Sequence, residues 1–141
     1  CIRDRDTLAN IRDNNQFVVT MVSESFAEKM VMCSTDFDSN VDEFEISGLN
    51  PIASDKINPP RLLESRVSFE CELNQIVEIG NSDAGSGFIV IGTVLLFHID
   101  DEVYENGRIL LDKLEPIGRL AGNKYTRPSD VFEISRKIKP E

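Results

Sequence analysis

The chain has 141 residues, with 15 Lys and Arg against 25 Asp and Glu, and a formal net charge of −10. Clustered positive charge is what grips phosphate backbones and anionic lipid, so this balance argues against nucleic acid and membrane surfaces as partners. A hydrophobic content of 40% supplies a core for one domain and excludes a disordered acidic tail. Three cysteines, Cys1, Cys33 and Cys71, are odd in number and unrelated in spacing. They point to free thiols in a reducing cytoplasm rather than to a disulfide framework or a zinc site. The longest apolar run, Phe88 to Ile99, is interrupted by Gly92, Thr93 and His98 and falls short of the roughly 18 residues that span a bilayer. Cys1 to Asp6 has no apolar signal-peptide stretch, and a first residue other than Met implies a processed chain or part of a longer one.

In chain order, Asp6 or Thr7 is placed to cap a short helix through Asn10 to Arg12, with Leu8 and Ile11 on one face. Gln16 to Val22 reads as a buried strand. Ser23 or Ser25 is expected to cap a second helix, in which Phe26, Met30 and Cys33 fall at helical spacing and Ser25 with Glu28 fits a capping box. Asn40 with Glu43 suggests a third, very short helix that Gly48 ends. Pro59-Pro60 marks an irregular entry to a β region, since neither residue donates to a ladder. From Val67 the period becomes two: Val67, Phe69, Cys71, Leu73, Val77 and Ile79 alternate with Ser68, Glu70, Glu72, Asn74 and Glu78. That predicts a long strand with one wet face. After the turn-rich stretch 80–87, Phe88 to Ile99 is apolar on both faces and is expected to be a central strand. A hairpin of this length suits a barrel or a strongly coiled sheet. Pro128 to Glu141 is polar and reads as a tail or packing arm after a domain of residues 1–127.

Five features could carry chemistry. Arg3-Asp4-Arg5-Asp6-Thr7 brings basic side chains and a hydroxyl to a helix start, where free N–H groups and the dipole favour an anion. A phosphate there would gain charge-assisted bonds from Arg5 and a bond from Thr7; the plainer reading is a capped, solvated helix end. His98, the only histidine, sits near a strand end on the face of Val90, Val94 and Leu96; it is either a neutral-pH titrating group or a packed residue. Cys33 has no evident base beside it, and Cys71 falls on an apolar strand face. The acidic set Asp36, Asp38, Asp42, Glu43 and Glu45 lacks calcium-loop spacing and reads as a solvated face, so no metal site is indicated. Arg119, Asn123, Tyr125 and Arg127 stand among two glycines, as a partner-contacting segment or an ordinary turn. No dinucleotide fingerprint or Walker loop is present.

The order of segments carries more than any one of them. Arg5-Asp6-Thr7-Leu8-Ala9-Asn10-Ile11, Phe17 to Ser23, Asp42-Glu43-Phe44-Glu45, Gly48-Leu49, Pro59-Pro60-Arg61 and Glu64-Ser65 come first. Phe69-Glu70-Cys71, Ile91-Gly92-Thr93-Val94, His98-Ile99-Asp100-Asp101 and Gly118-Arg119-Leu120 follow. Together they resemble the flavin reductase-like, FMN-binding split-barrel family, in its flavoredoxin-type branch, from Arg5 to Arg127. The resemblance implies a mainly β fold with short helices, a six-stranded split β-barrel, a homodimer and FMN in a groove near the dimer interface. It also implies NAD(P)H as electron donor and an oxygenase or other acceptor as partner, or else an FMN-binding module without turnover. An acidic barrel that binds no ligand is the third reading.

In relatives a Lys-Asp-Thr segment helps to hold the flavin phosphate; here it is Arg5-Asp6-Thr7, which keeps the charge. Ala121-Gly122 stands where relatives have Gly-Gly. The N-terminal strands of the family, which contact the flavin, have no counterpart in this chain. The expectation is that further polypeptide precedes Cys1 or that a neighbouring subunit supplies those strands, because a barrel without them exposes unpaired edges.

Overall fold

The computed structural model describes residues 6–35, 37, 41–81, 87–128 and 130–136. Helix α1 (Asp6–Asn14) turns through Asn15 directly into strand β1 (Gln16–Thr20). A single 3₁₀ turn, Glu24–Phe26, leads into α2 (Ala27–Met32), and α3 (Glu43–Ser47) follows. Two-residue strands β2 (Pro51–Ile52) and β3 (Arg61–Leu62) pair across an irregular loop. The long strands β4 (Val67–Ile79) and β5 (Gly87–Ile99) then form the expected hairpin. Beyond them lie the β6 (Tyr104–Glu105) and β7 (Arg108–Ile109) hairpin, α4 (Leu111–Leu114), and the β8 (Gly118–Arg119) and β9 (Tyr125–Thr126) hairpin.

The caps differ from expectation in two places. Neither Ser23 nor Ser25 caps α2; the two hydroxyls bond each other at 2.8 Å, and the 3₁₀ turn intervenes between Ser23 and the helix. For α3 the cap is Asp42, whose carboxylate accepts the Phe44 N–H at 2.9 Å, while Asn40 lies outside the described residues. Gly48 ends α3 at φ +64°, a left-handed conformation that costs glycine little.

The main sheet is antiparallel in the order β1–β4–β5. The expected central strand is therefore corrected: β4 is central, and among the described residues β5 pairs only with β4. Its Ile89, Ile91, Leu95 and Phe97 are exposed. Apolar composition on both faces reports a tendency to be covered; it does not say which element does the covering. On one face of β4, Val67 and Phe69 pack with Val103, Leu114, Ile109 and Met21, and Phe69 meets Phe97 edge-on at 4.9 Å.

The second correction concerns the wet face. It is wet at Glu72, which is exposed, but Ser68 and Glu70 are 1% and 0% exposed. The loop between β2 and β3 lies over them, as its backbone contacts with Glu70 show. A bulge at Asn74 reverses the alternation, so Glu78 shares a face with Cys71 and Leu73 while Val77 and Ile79 share the face of Glu72.

Gly92 of β5 is where a side chain has no room. A Cβ there would stand 2.4 Å from Phe17 Cζ and 3.2 Å from the Glu72 carbonyl oxygen. An aromatic ring fixed on the sheet cannot yield as the tip of a lysine does. Gly92→Ala is expected to lower stability by about 1–2 kcal/mol through overpacking, read as a lower urea midpoint.

Candidate functional site

A cleft opens between α1, β1, α3 and the loop preceding β3, with a volume of about 670 Å³. Thr7 and Asn10 of α1, Gln16, Val18 and Thr20 of β1, and Asn58, Pro59 and Pro60 of the loop line its wall. Cys33, Glu43 and Phe44 also line it. Thr7, Asn10, Ile11 and Asn14 fall at i, i+3, i+4 and i+7 and all line the cleft, so one face of α1 runs along it from the first turn to the last. Of the expected phosphate contacts, Thr7 is exposed in that first turn and lines the cleft. Arg5 and the Asp6 side chain lie outside the described residues.

His98 is not among the described residues of this cleft. It belongs to a second cluster under the loop. Residues opposite each other on paired strands share a face, and β4 pairs Ser68 with His98, Glu70 with Leu96 and Cys71 with Val94. A bulge at Leu95 thus separates Val94 from Leu96 and His98, which sit on the Glu70 face rather than with Val94. His98 Nε2 lies 2.5 Å from Glu70 Oε1, and Arg61 Nε stands 3.7 Å from the same oxygen. The Asp55 N–H donates to Oε1 at 2.8 Å and the Lys56 N–H to Oε2 at 2.7 Å. Arg61 Nε and Ser68 Oγ are the buried side-chain atoms without a hydrogen-bond partner among the described residues.

Asp55, Glu70 and His98 bring ligand-type atoms within 4.8 Å of one another. Two ligand atoms each about 2.0 Å from one tetrahedral ion stand about 3.3 Å apart. The 2.5 Å contact between His98 and Glu70 is instead a hydrogen bond, and the Arg61 guanidinium supplies the neighbouring positive charge. Burial pushes the Glu70 pKa up, but the Asp55 N–H, the His98 ring and the Lys56 N–H together outweigh it and hold the carboxyl below its ordinary 4.5. A depressed carboxyl pKa stabilises the fold above the unfolded value, and that contribution is lost as pH falls through the folded one. The difference in urea midpoint between the parent chain and Glu70→Gln is therefore expected to be largest above pH 4.5 and to shrink below it.

The C-terminal set is only partly brought together. Tyr125 and Arg127 line a smaller cleft of about 450 Å³ with residues 24–29 and Ile117. Arg127 forks onto the Glu24 carboxylate, which lowers the Glu24 pKa and raises that of Arg127. Arg119 and Asn123 are exposed and do not line that cleft. Cys71 is buried, as its strand face implied, and burial pushes its thiol up. The half-buried Cys33 thiol donates to the Lys29 carbonyl at 3.5 Å.

The sequence matches the family model described as the flavin reductase like domain over residues 1–117. The chain belongs to the flavin reductase-like family. An uncharacterized protein of Aquifex aeolicus is 38% identical over 124 residues, covering 87% of this chain and 61% of the relative. Nitrilotriacetate monooxygenase component B from Bacillus cereus superimposes with a TM-score of 0.87 at 32% identity, covering 93% of this chain and 65% of that one. A flavin reductase-type protein with a split barrel domain from Shewanella frigidimarina superimposes with a TM-score of 0.80 at 23% identity, covering 94% and 66%. The chain thus spans slightly under two thirds of these family members. Its fold is that of the split-barrel flavin reductase-like proteins, with the described residues forming open sheets.

No helix among the described residues is long and apolar enough to cross a membrane. Glu70 is the residue that the sequence reading missed. Its one signal was a carboxylate on a strand expected to pair with the strand that carries the only histidine.

Proposed function

We propose that this chain is an FMN-binding oxidoreductase of the flavin reductase type, with residues 1–127 as its flavin-binding unit and 128–141 as an arm. Its electron donor is NAD(P)H, it works as a homodimer, and it serves an oxygenase or another electron acceptor. Family membership supports the flavin chemistry, and the likeness to a monooxygenase component B supports the oxygenase partner.

The observation that carries the reading is the position of Thr7, in the first turn of a nine-residue helix at the edge of the 670 Å³ cleft. That volume lies within the roughly 300–1,000 Å³ of small-ligand sites. The lining also suits a flat ring system with polar edges: Asn10, Gln16 and Asn58 offer amides, while Phe44, Pro59 and Pro60 offer apolar surface. Arg5, Thr7 and the first-turn N–H groups would hold the phosphate, with Asp6 at the helix start. Bound FMN supplies hydride acceptance and electron release, while the chain anchors and orients it.

Titration of FMN with the purified chain tests this directly. Quenched flavin fluorescence and a shifted flavin absorbance band are expected; unquenched FMN over a colourless protein overturns the reading. A second reading, an FMN-binding module without reductase turnover, is favoured by one feature of the cleft. Its described lining carries only Cys33 and Glu43 as titratable groups, while His98 is engaged by Glu70 elsewhere. NAD(P)H oxidation in the presence of FMN separates the two, since a pure binder gives only the background rate.

A further inference from the structure

The loop between β2 and β3 has no regular structure, yet it is fastened at successive points. Its Asp55 and Lys56 N–H groups are held by the two oxygens of Glu70, and its Asn58 N–H by Gln16 Oε1 at 3.0 Å. Arg61, at the loop's exit, donates from Nη2 to the Ala53 carbonyl at 3.3 Å while its Nε faces Glu70. The loop continues through the buried Ile57 into Asn58, Pro59 and Pro60, which line the cleft. Asn58 precedes a proline and is itself restricted, and Pro59 and Pro60 have fixed φ, so from Asn58 onward the segment has few soft torsions and its place is set by the anchored residues before it.

From this chain of contacts we infer that Glu70 is the positioning residue of the flavin cleft, setting the place of the Asn58–Pro60 wall by holding the two N–H groups that precede it. The inference rests on the reading of the cleft as an FMN site. A carboxylate suits the task because its two oxygens accept one N–H each and so fix the orientation of two successive peptides. An apolar side chain could cover the same strand but would leave the loop free to slide. Gln in its place keeps one acceptor and turns an NH₂ group toward the other N–H. His98, from β5, donates from Nε2 to Oε1 and ties this anchor to the sheet hairpin. Because Glu70 faces the loop and is fully buried, its effect on a ligand passes through the wall and not through contact.

The test uses the full chain as the parent protein and as Glu70→Gln. Val103→Ala, which opens a cavity in the core on the other face of β4, provides a variant of lowered stability for comparison. Hydrogen exchange of the 53–60 segment and the affinities for FMN and riboflavin are measured on each. In Glu70→Gln the loop amides are expected to exchange at least about tenfold faster while β1 and β4 stay protected. Affinity for FMN and riboflavin should fall together, about fivefold, since on this reading the wall would hold the ring system and not the phosphate. Val103→Ala should change neither the loop exchange nor the affinities, which separates positioning from general loss of stability. If Glu70→Gln does not fold, Glu70→Asp, which keeps the charge but draws both oxygens back from the loop, is expected to change both readouts in the same direction. Unchanged loop exchange overturns the positioning role. Faster exchange with unchanged flavin affinity overturns the assignment of the wall to the flavin. A parent chain that binds neither flavin overturns the FMN reading, and the exchange measurement still decides whether Glu70 holds the loop.

Discussion

Replacing Glu70 with Ala will lower the stability of the fold by about 3 kcal/mol. The side chain is completely buried and is met by two backbone N–H groups, His98 and Arg61. Truncation leaves the two N–H groups and the His98 ring without an acceptor, at roughly 1–3 kcal/mol for each one that water does not reach, and leaves the Arg61 charge without its partner. Stripping one partner from a buried ionic cluster costs about 3–5 kcal/mol for the same reason. Asp55 and Lys56 are themselves exposed, so water can enter beneath the loop and recover part of the loss. That places the expected value at the lower end of the range. Urea unfolding of the Ala variant at neutral pH measures it. A change below about 1 kcal/mol would mean that solvent replaces the carboxylate freely and that the cluster is a surface feature.

At the start of α1, the double variant Arg5→Ala, Thr7→Ala is expected to weaken FMN binding by about a hundredfold. Hydrogen bonds to a charged group contribute roughly 1.5–3 kcal/mol, and each 1.4 kcal/mol is a factor of ten in affinity. Riboflavin, which has the same ring and no phosphate, should bind the variant and the parent alike. Thr7 is exposed in the first turn of α1, so loss of its hydroxyl should cost the fold no more than about 1 kcal/mol, as for a helix cap. Parallel losses of stability and of FMN affinity, or equal losses for FMN and riboflavin, would instead make the segment a helix cap. This pattern differs from that expected of Glu70→Gln, where both flavins weaken together.

Much of the β architecture was legible because its signals are local. The alternation from Val67 to Ile79, the turn chemistry after it and the apolar run to Ile99 define strands whose bounds agree with β4 and β5. Gly48 ended a helix and Cys71 was buried, each for a reason contained in a few neighbouring residues. The errors were of a different kind. Glu70 lies on the polar side of its strand by period, but a loop from 14–15 residues earlier in the chain covers it. His98 was assigned to the wrong face because one bulged residue, Leu95, reverses the alternation between Val94 and Leu96. The candidate site divided in the same way: Thr7 was visible as a hydroxyl at a helix start, whereas the Asn58–Pro60 wall depends on how the loop before β3 is anchored.

An acidic balance of −10, with no clustered positive charge, and the sequence of short motifs from Arg5 to Arg127 were sufficient by themselves to set the class of protein. Period and turn residues were sufficient to set the long hairpin. These follow from the chain alone because each is a property of neighbouring residues. Which strand is central, which carboxylate is buried and which residues face one cleft were decided only in three dimensions. A strand's period specifies two faces, but the element that covers each face comes from a distant part of the chain. At Glu70 that element is the loop whose backbone N–H groups the carboxylate holds, so an alternation that reads as a solvated face becomes an anchor.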